Sequence, residues 1–202
     1  MSELFILTAF GAEYQALWQH LEKPTEVHSK KDHGFASVRG TIQSRSIHLS
    51  VTGMGPASCT RALETLKIPE GSRIFLIGFC GSLVSNLKVG DLFRPEKVVD
   101  VTSGKEFSLS EGQGIMASVE NPVLSFEEKT KLASKFQAQA VDMEAAALLK
   151  WAHANKSPVE IIKFVMDDLS TQDYSRNGLK EGLKKASLVL SEYLEKWRLD
   201  LS

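Results

Sequence analysis

Val141-Asp142-Met143-Glu144-Ala145-Ala146-Ala147 is the stretch on which the reading of this chain turns. It follows the polar positions Lys135, Gln137 and Gln139 and leads into Leu148, Leu149, Trp151 and Ala152, so a short extended approach is expected to become a helix that runs to His153. Asp142 and Glu144 then lie near the helix start, where free N–H groups and the helix dipole attract negative charge. An Asp cap with a Glu in the first turn accounts for that pair with no ligand at all. Met143 between the acids, and the alanines behind them, add a second meaning. Small residues let a helix approach a sheet closely, and a thioether gives an adaptable apolar surface beside an anionic group. An apolar wall next to a carboxylate suits a sugar ring, whose hydroxyls need acceptors and whose carbon face needs cover.

Upstream, Leu4 to Ala9 is a short apolar run that ends at Phe10-Gly11, the pattern of a buried strand handing over to a loop. Ala12, Ala16, Leu17 and Leu21 then recur at helical spacing, which puts Glu13 where strand end meets helix start. Ligand chemistry collects at the carboxyl ends of strands in open α/β sheets. Lys23 to Lys31 contains Pro24 and reads as a connection, and Phe35–Arg39 and Ser46–Thr52 read as two strands about a Thr41–Arg45 turn. The second runs into Thr52-Gly53-Met54-Gly55-Pro56 and a helix from Ala57 to Leu66. Glycines there let backbone approach a ligand, although a plain tight turn explains them equally. Arg73 to Ile77 is the best buried strand, ending in Gly78-Phe79-Cys80-Gly81-Ser82. Strands are further expected at Lys97–Val101, Gly114–Val119 and Val159–Val165, with a loop over 102–113. A helix over Ser125–Phe136 would use Phe126, Leu132 and Phe136 as its apolar positions. The last strand runs into Met166-Asp167-Asp168, and Leu179, Leu183, Ala186, Leu190, Leu194 and Trp197 mark one face of a terminal helix. Alternating strands and helices predict a three-layer α/β/α fold with a central mixed sheet.

With 202 residues the chain fits one domain, residues 1–202. Its 24 basic and 25 acidic side chains leave a formal charge of −1, so there is no basic excess for nucleic acid and no cluster for an anionic membrane. Cys59 and Cys80 lack CxxC spacing, and the five histidines show no ligand pairing, so neither a disulfide framework nor a metal is expected. The acid at Glu3 and the short apolar run after it do not fit a signal peptide or a membrane span, and a cytoplasmic protein is expected.

Three acids at strand ends, Glu13, Glu144 and Asp167, thus stand beside two glycine turns. Together these features resemble the nucleoside phosphorylase and nucleosidase superfamily, most closely its methylthioadenosine/S-adenosylhomocysteine nucleosidases. Val141–Ala147 is similar to the family's Met-Glu ribose motif, and Leu87-Lys88-Val89-Gly90-Asp91 to its Leu-Lys-Val-Gly-Asp stretch. Thr52–Gly55 resembles its Ser-Gly-Ile-Gly turn and Gly78–Gly81 its Gly-Ser-Ala-Gly turn. The resemblance implies that Glu13 orders the attacking water and Asp167 protonates the leaving purine. It further implies that Met143 and Glu144 hold the ribose, with Met54, Phe79, Cys80 and Gly81 also lining the substrate. It implies no cofactor, a small-molecule nucleoside as partner, and a homodimer; the apolar content of segments 55–66 and 124–136 points to a dimer as well.

Phe79 stands where these nucleosidases carry serine, and Lys163 where they carry an arginine four residues before the acid. The segment from Gly104 to Ala140 is short, no base-stacking phenylalanine is recognisable in it, and Ser118–Pro122 is more like the hopanoid-associated branch, classed as phosphorylases and linked to adenosyl lipids. Hydrolysis of a 5′-substituted purine nucleoside, methylthioadenosine-like or an adenosyl lipid, is the expected activity. Phosphorolysis is the alternative, against which Phe10–Leu17 offers no basic residue and Glu13 would repel phosphate; a nucleoside-binding protein without catalysis is the remoter one.

Overall fold

The computed structural model describes residues 3–171 and 179–200, without the side chains of residues 32 and 197–200. Trp197, expected on the terminal helix face, therefore has its side chain outside the described residues. The first half of the chain runs β1 (Leu4–Thr8), α1 (Gly11–Trp18), β2 (Glu22–His28), α2 (Lys30–His33), β3 (Ala36–Ile42), β4 (Arg45–Val51), α3 (Pro56–Leu66) and β5 (Ile74–Ser82). It continues through β6 (Leu92–Phe93), β7 (Lys97–Asp100), β8 (Glu106–Ser108), β9 (Ile115–Ser118), α4 (Phe126–Phe136), β10 (Ala140–Asp142), α5 (Ala145–Ala154), β11 (Val159–Asp167) and α6 (Leu179–Asp200).

One mixed sheet holds every strand of the described residues, in the order β2-β3-β4-β1-β5-β10-β9-β7-β8, with β11 paired to β5 and to β6. β5 is its centre. Side chains alternate along it: Ile74, Leu76 and Cys80 join α3 and α5, whereas Phe75, Ile77 and Phe79 join α1 and α6. Those two apolar layers on opposite faces make the expected α/β/α sandwich. Burying each large aliphatic or aromatic side chain contributes about 1.5–3 kcal/mol, so the doubly covered β5 is the best-anchored strand.

β1, β4, β5 and β11 are mutually parallel, so their carboxyl ends gather at one end of the sheet. β11 follows one edge of β5 from Ile74 to Gly81. The other edge is shared: β1 pairs over Ile74–Leu76 and β10 takes over at Gly81–Ser82. The interval between them, at Gly78–Cys80, is where the site forms.

Several expectations are corrected. Gly78–Ser82 is not a turn after the strand but its second half, fully buried. Glu22–His28 is an exposed strand paired with β3 rather than a connection, and the 102–113 loop contains β8. Val141 belongs to β10, and the helix after it begins only at Ala145. On α4, Phe126 is 61% exposed while Lys129 is wholly buried.

Candidate functional site

Glu13 sits in the first turn of α1 and is fully buried. Its Oε2 accepts from the backbone N–H of Ala9 at 2.7 Å and of Phe10 at 2.8 Å. The Phe10 bond is what a glutamate at this position ordinarily does for a helix start. Capping does not explain Oε1, which accepts from Phe79 N–H on β5 at 2.7 Å. A carboxylate oxygen takes about two hydrogen bonds. Oε2 is filled, and one acceptor position on Oε1 has no protein donor among the described residues. Burial lifts the Glu13 carboxyl to about 7, against the pull of Lys163 and of the backbone N–H groups.

Gly78 makes this placement possible. A Cβ there would stand 2.4 Å from Glu13 Oε1 and 2.9 Å from Oε2, so only glycine leaves room for the carboxylate. Gly81 allows a looser approach at the other end: a Cβ there would lie 3.1 Å from both oxygens of Asp167.

Asp142 and Glu144 share one cation. Lys163, wholly buried on the α5-facing side of β11, lies 3.0 Å from Asp142 Oδ2 and 3.8 Å from Glu144 Oε2. Burial disfavours its charge, but Asp142, Glu144 and Glu13 together outweigh burial and raise its pKa. Asp142 caps α5 from the end of β10, accepting Ala145 N–H at 3.0 Å, while Ser118 Oγ accepts Ala146 N–H at 3.1 Å. Glu144 is thereby free of capping and turns to the glycine turn after β4, accepting Gly55 N–H at 2.7 Å. Burial raises its pKa, Lys163 opposing and Asp142 adding. The Met143 methyl approaches the same Gly55, 3.7 Å from where a Cβ would stand.

Asp167 closes β11 and pairs with Lys129 of α4, a side chain with no exposed surface. Burial raises the Asp167 carboxyl even though Lys129 pulls the other way. Asp168 does a different job: burial notwithstanding, bonds from Ser170 and Val89 hold its carboxyl low, and it shapes the turn after β11.

The sequence-predicted residues are thus brought together unevenly. Glu13, Gly81, Met143, Glu144 and Asp167 converge on the carboxyl ends of the parallel strands. Phe79 contributes its backbone, because its ring packs against Phe10 in the α1/α6 layer, with ring centres 6.4 Å apart. Cys80 lies on the opposite face, buried, its thiol pushed up by that burial. Met54 is 54% exposed. Sequence reasoning missed Lys129 and left Lys163 without a partner, whereas the cap it expected from Asp142 is the one that Ala145 N–H receives. Lys129 did carry a signal, since it lies at helical spacing between Phe126 and Leu132 on an otherwise apolar stripe. Among the described residues no group of acids, histidines or cysteines could hold a metal, and no helix is long and apolar enough to cross a membrane.

Known proteins resemble the chain along nearly its whole length. An aminodeoxyfutalosine nucleosidase of Helicobacter pylori is 24% identical over 191 residues, covering 78% of this chain and 77% of that one. A 5′-methylthioadenosine/S-adenosylhomocysteine nucleosidase of Buchnera aphidicola is 26% identical over 200 residues, covering 82% and 85%. Among solved structures, the futalosine hydrolase of Helicobacter pylori superposes with a TM-score of 0.84 at 21% identity, over 100% of this chain and 98% of that one. A 5′-methylthioadenosine/S-adenosylhomocysteine nucleosidase of the same organism gives 0.84 and 21%, over 100% and 99%. At such identities the structural likeness speaks for the fold. The family description of the Phosphorylase superfamily matches residues 3–113 and 107–195, and the chain belongs to that superfamily.

Proposed function

We propose that this protein is a nucleosidase, which hydrolyses the N-glycosidic bond of a 5′-substituted purine nucleoside and releases the free base. The observation that carries the reading is Glu13: a wholly buried carboxylate with one unfilled acceptor position, in the same interval of β5 that Asp167 faces. Gly78 and Gly81 are three residues apart, roughly 10 Å along a strand. A water, an anomeric carbon and a purine fit that span. As the C1′–N9 bond breaks, its electron pair goes to the base and positive charge grows on the sugar. Asp167, lifted by burial, delivers its proton to N7; water attacks C1′ and gives its proton to Glu13. Glu144 accepts from ribose hydroxyls and, with Glu13 and Asp142, surrounds the sugar with three acids about Lys163, the cation that Asp142 and Glu144 share. Met143 covers the sugar's carbon face.

The charge balance favours water over phosphate. Of the cations that might neutralise a phosphate, Lys163 is held by Asp142 and Glu144, Arg39 pairs with Glu3 at 2.9 Å on the surface, and Arg61 is exposed beside Gly34. The nucleosidase names of the relatives support the same reading. We also infer a homodimer, from the exposure of Leu124 and Phe126, and a cytoplasmic location, which suits two free, buried cysteines. Incubation with 5′-substituted purine nucleosides, with and without phosphate, is expected to yield base and free sugar at a rate independent of phosphate. Asp167→Asn should cost on the order of 10²–10⁴-fold. Sugar 1-phosphate as the product, or an undiminished rate in Asp167→Asn, would overturn the assignment.

A further inference from the structure

Lys163 is buried in the middle of β11, in register with Gly78 of β5 on one side and with Phe93 of β6 on the other. Register partners in a sheet point to one face, and the space over Gly78 is filled by the Glu13 carboxylate, so lysine and glutamate meet on the same face of two neighbouring strands. The ammonium also lies 3.0 Å from Asp142 Oδ2 of β10 and 3.8 Å from Glu144 Oε2 at the head of α5. One cation thus stands among three acids. Further titratable groups that bear on this cluster are Cys59 of α3 and Cys80 of β5, whose thiols burial pushes up, and, at the end of β11, Asp167 with its partner Lys129. Stability does not account for a lysine at this position, because apolar side chains in place of buried ions are commonly neutral or stabilising. Its place matters more: it lies behind the two carboxylates that the reaction needs ionised.

We infer that Lys163 is a positioning residue that sets the acid limit of turnover: its ammonium, shared by Asp142 and Glu144, keeps Glu144 ionised toward the ribose hydroxyls and Glu13 ionised toward the attacking water. The inference rests on the nucleosidase reading, with Glu13 as base and Glu144 at the sugar. A protonated Glu13 cannot take a proton from water, and a protonated Glu144 has less acceptor capacity for hydroxyls. Crowding and burial drive both toward that state. Burial raises each carboxyl, Glu144 adds to the rise at Glu13, and Asp142 adds to the rise at Glu144. Against these, Lys163 is the strongest opposing influence on both. An opposite charge at such range moves a carboxyl by about 1–3 pH units. The lysine acts through the two glutamates alone. Water gives its proton to Glu13 as it attacks C1′, the electron pair of the C1′–N9 bond leaves with the base, and Lys163 keeps all its protons throughout.

The test is the pH profile of kcat/KM for base release from 5′-methylthioadenosine by the full-length protein. In Lys163→Met the acid limb should move up by about one pH unit or more. Below both limbs that is a loss of about tenfold or more, shrinking as pH rises. Lys163→Arg, which keeps the charge, should keep the wild-type limb. A loss in Lys163→Met that is the same at every pH, or a limb displaced as far in Lys163→Arg, would overturn the inference while leaving a nucleosidase in place. Should Lys163→Met not fold, Asp142→Asn decides: its amide oxygen can still accept Ala145 N–H, and one acid fewer competes for the ammonium. The Glu144 carboxyl, followed by ¹³C NMR and assigned with Glu144→Gln, should then titrate lower than in wild type; an unmoved or higher midpoint would sink the proposal. If wild type cleaves no 5′-substituted purine nucleoside, the nucleosidase reading fails, and the same carboxyl titrations judge the lysine. Glu13 and Glu144 midpoints that rise in Lys163→Met uphold its hold on both protons; unchanged midpoints end it.

Discussion

Burial and hydrogen bonding act on the Glu13 proton in opposite directions. Burial, the largest effect, lifts the carboxyl from 4.5 to about 7, while Lys163 and the N–H groups of Phe10 and Phe79 restrain the rise. Between those two values the native state holds a proton that the unfolded chain has released, so stability falls as pH rises through the window. Below 4.5 the penalty is absent; above 7 it is complete, at about 3 kcal/mol. Glu13→Gln removes the titration and also changes the hydrogen bonding. Its oxygen can keep Ala9 and Phe10, but its NH₂ then faces the Phe79 N–H, which costs about 1–3 kcal/mol at every pH. Urea midpoints measured from pH 4.5 to 8 should therefore fall more steeply in wild type than in Glu13→Gln, and the variant should have lost hydrolysis. Parallel pH profiles would disprove the burial effect. The sequence placed Glu13 correctly at the strand-to-helix junction, since local spacing is enough to locate it. It did not reveal the Phe79 partner, because a contact across 66 residues has no local signature.

β5 carries the site because it lacks two side chains. Gly78→Ala would put a methyl 2.4 Å from Glu13 Oε1, far inside contact distance, with the carboxylate anchored by three N–H groups and unable to retreat. Gly81→Ala would bring a methyl to 3.1 Å from the oxygens of Asp167, a crowding that a few tenths of an ångström relieve. Alanine is otherwise favourable in a strand interior, by roughly 0.5–1 kcal/mol over glycine. Gly78→Ala is thus expected to lower turnover about 10²-fold or more, with circular dichroism unchanged, and Gly81→Ala to lower it at least tenfold less. Equal losses would show that the close approach at Gly78 is not what positions Glu13. The same glycines misled the sequence reading, which took Gly78–Ser82 for a turn; glycine marks turns, but in a strand it also marks where another group presses close. β2 escaped for a different reason. It is an exposed strand with an irregular register against β3, so no buried face imposed an apolar alternation that could be read. Strands buried on both faces, β1, β5 and β11, were legible from their apolar runs alone.

For the whole molecule, the question is which apolar surface one copy leaves over. Segment 55–66 was expected to contribute to a dimer, yet Cys59, Ala62, Leu63 and Leu66 are consumed by the layer between α3 and the sheet. Leu124 and Phe126 remain, 52% and 61% exposed, at the start of the helix whose inner side carries Lys129 to Asp167. Large exposed apolar side chains mark interaction surfaces when they cluster. A second copy packed there would immobilise the start of α4 and with it the lysine that pairs with Asp167. Light scattering at micromolar concentration should therefore give the mass of a dimer, and Leu124→Ser with Phe126→Ser should shift it to a monomer. Neither side chain belongs to the core clusters, so thermal unfolding of the dissociated form should remain cooperative. Its turnover should fall as α4 loses its support. A monomeric wild type would remove the dimer, and a monomeric double variant with full turnover would break the link between association and the position of Lys129.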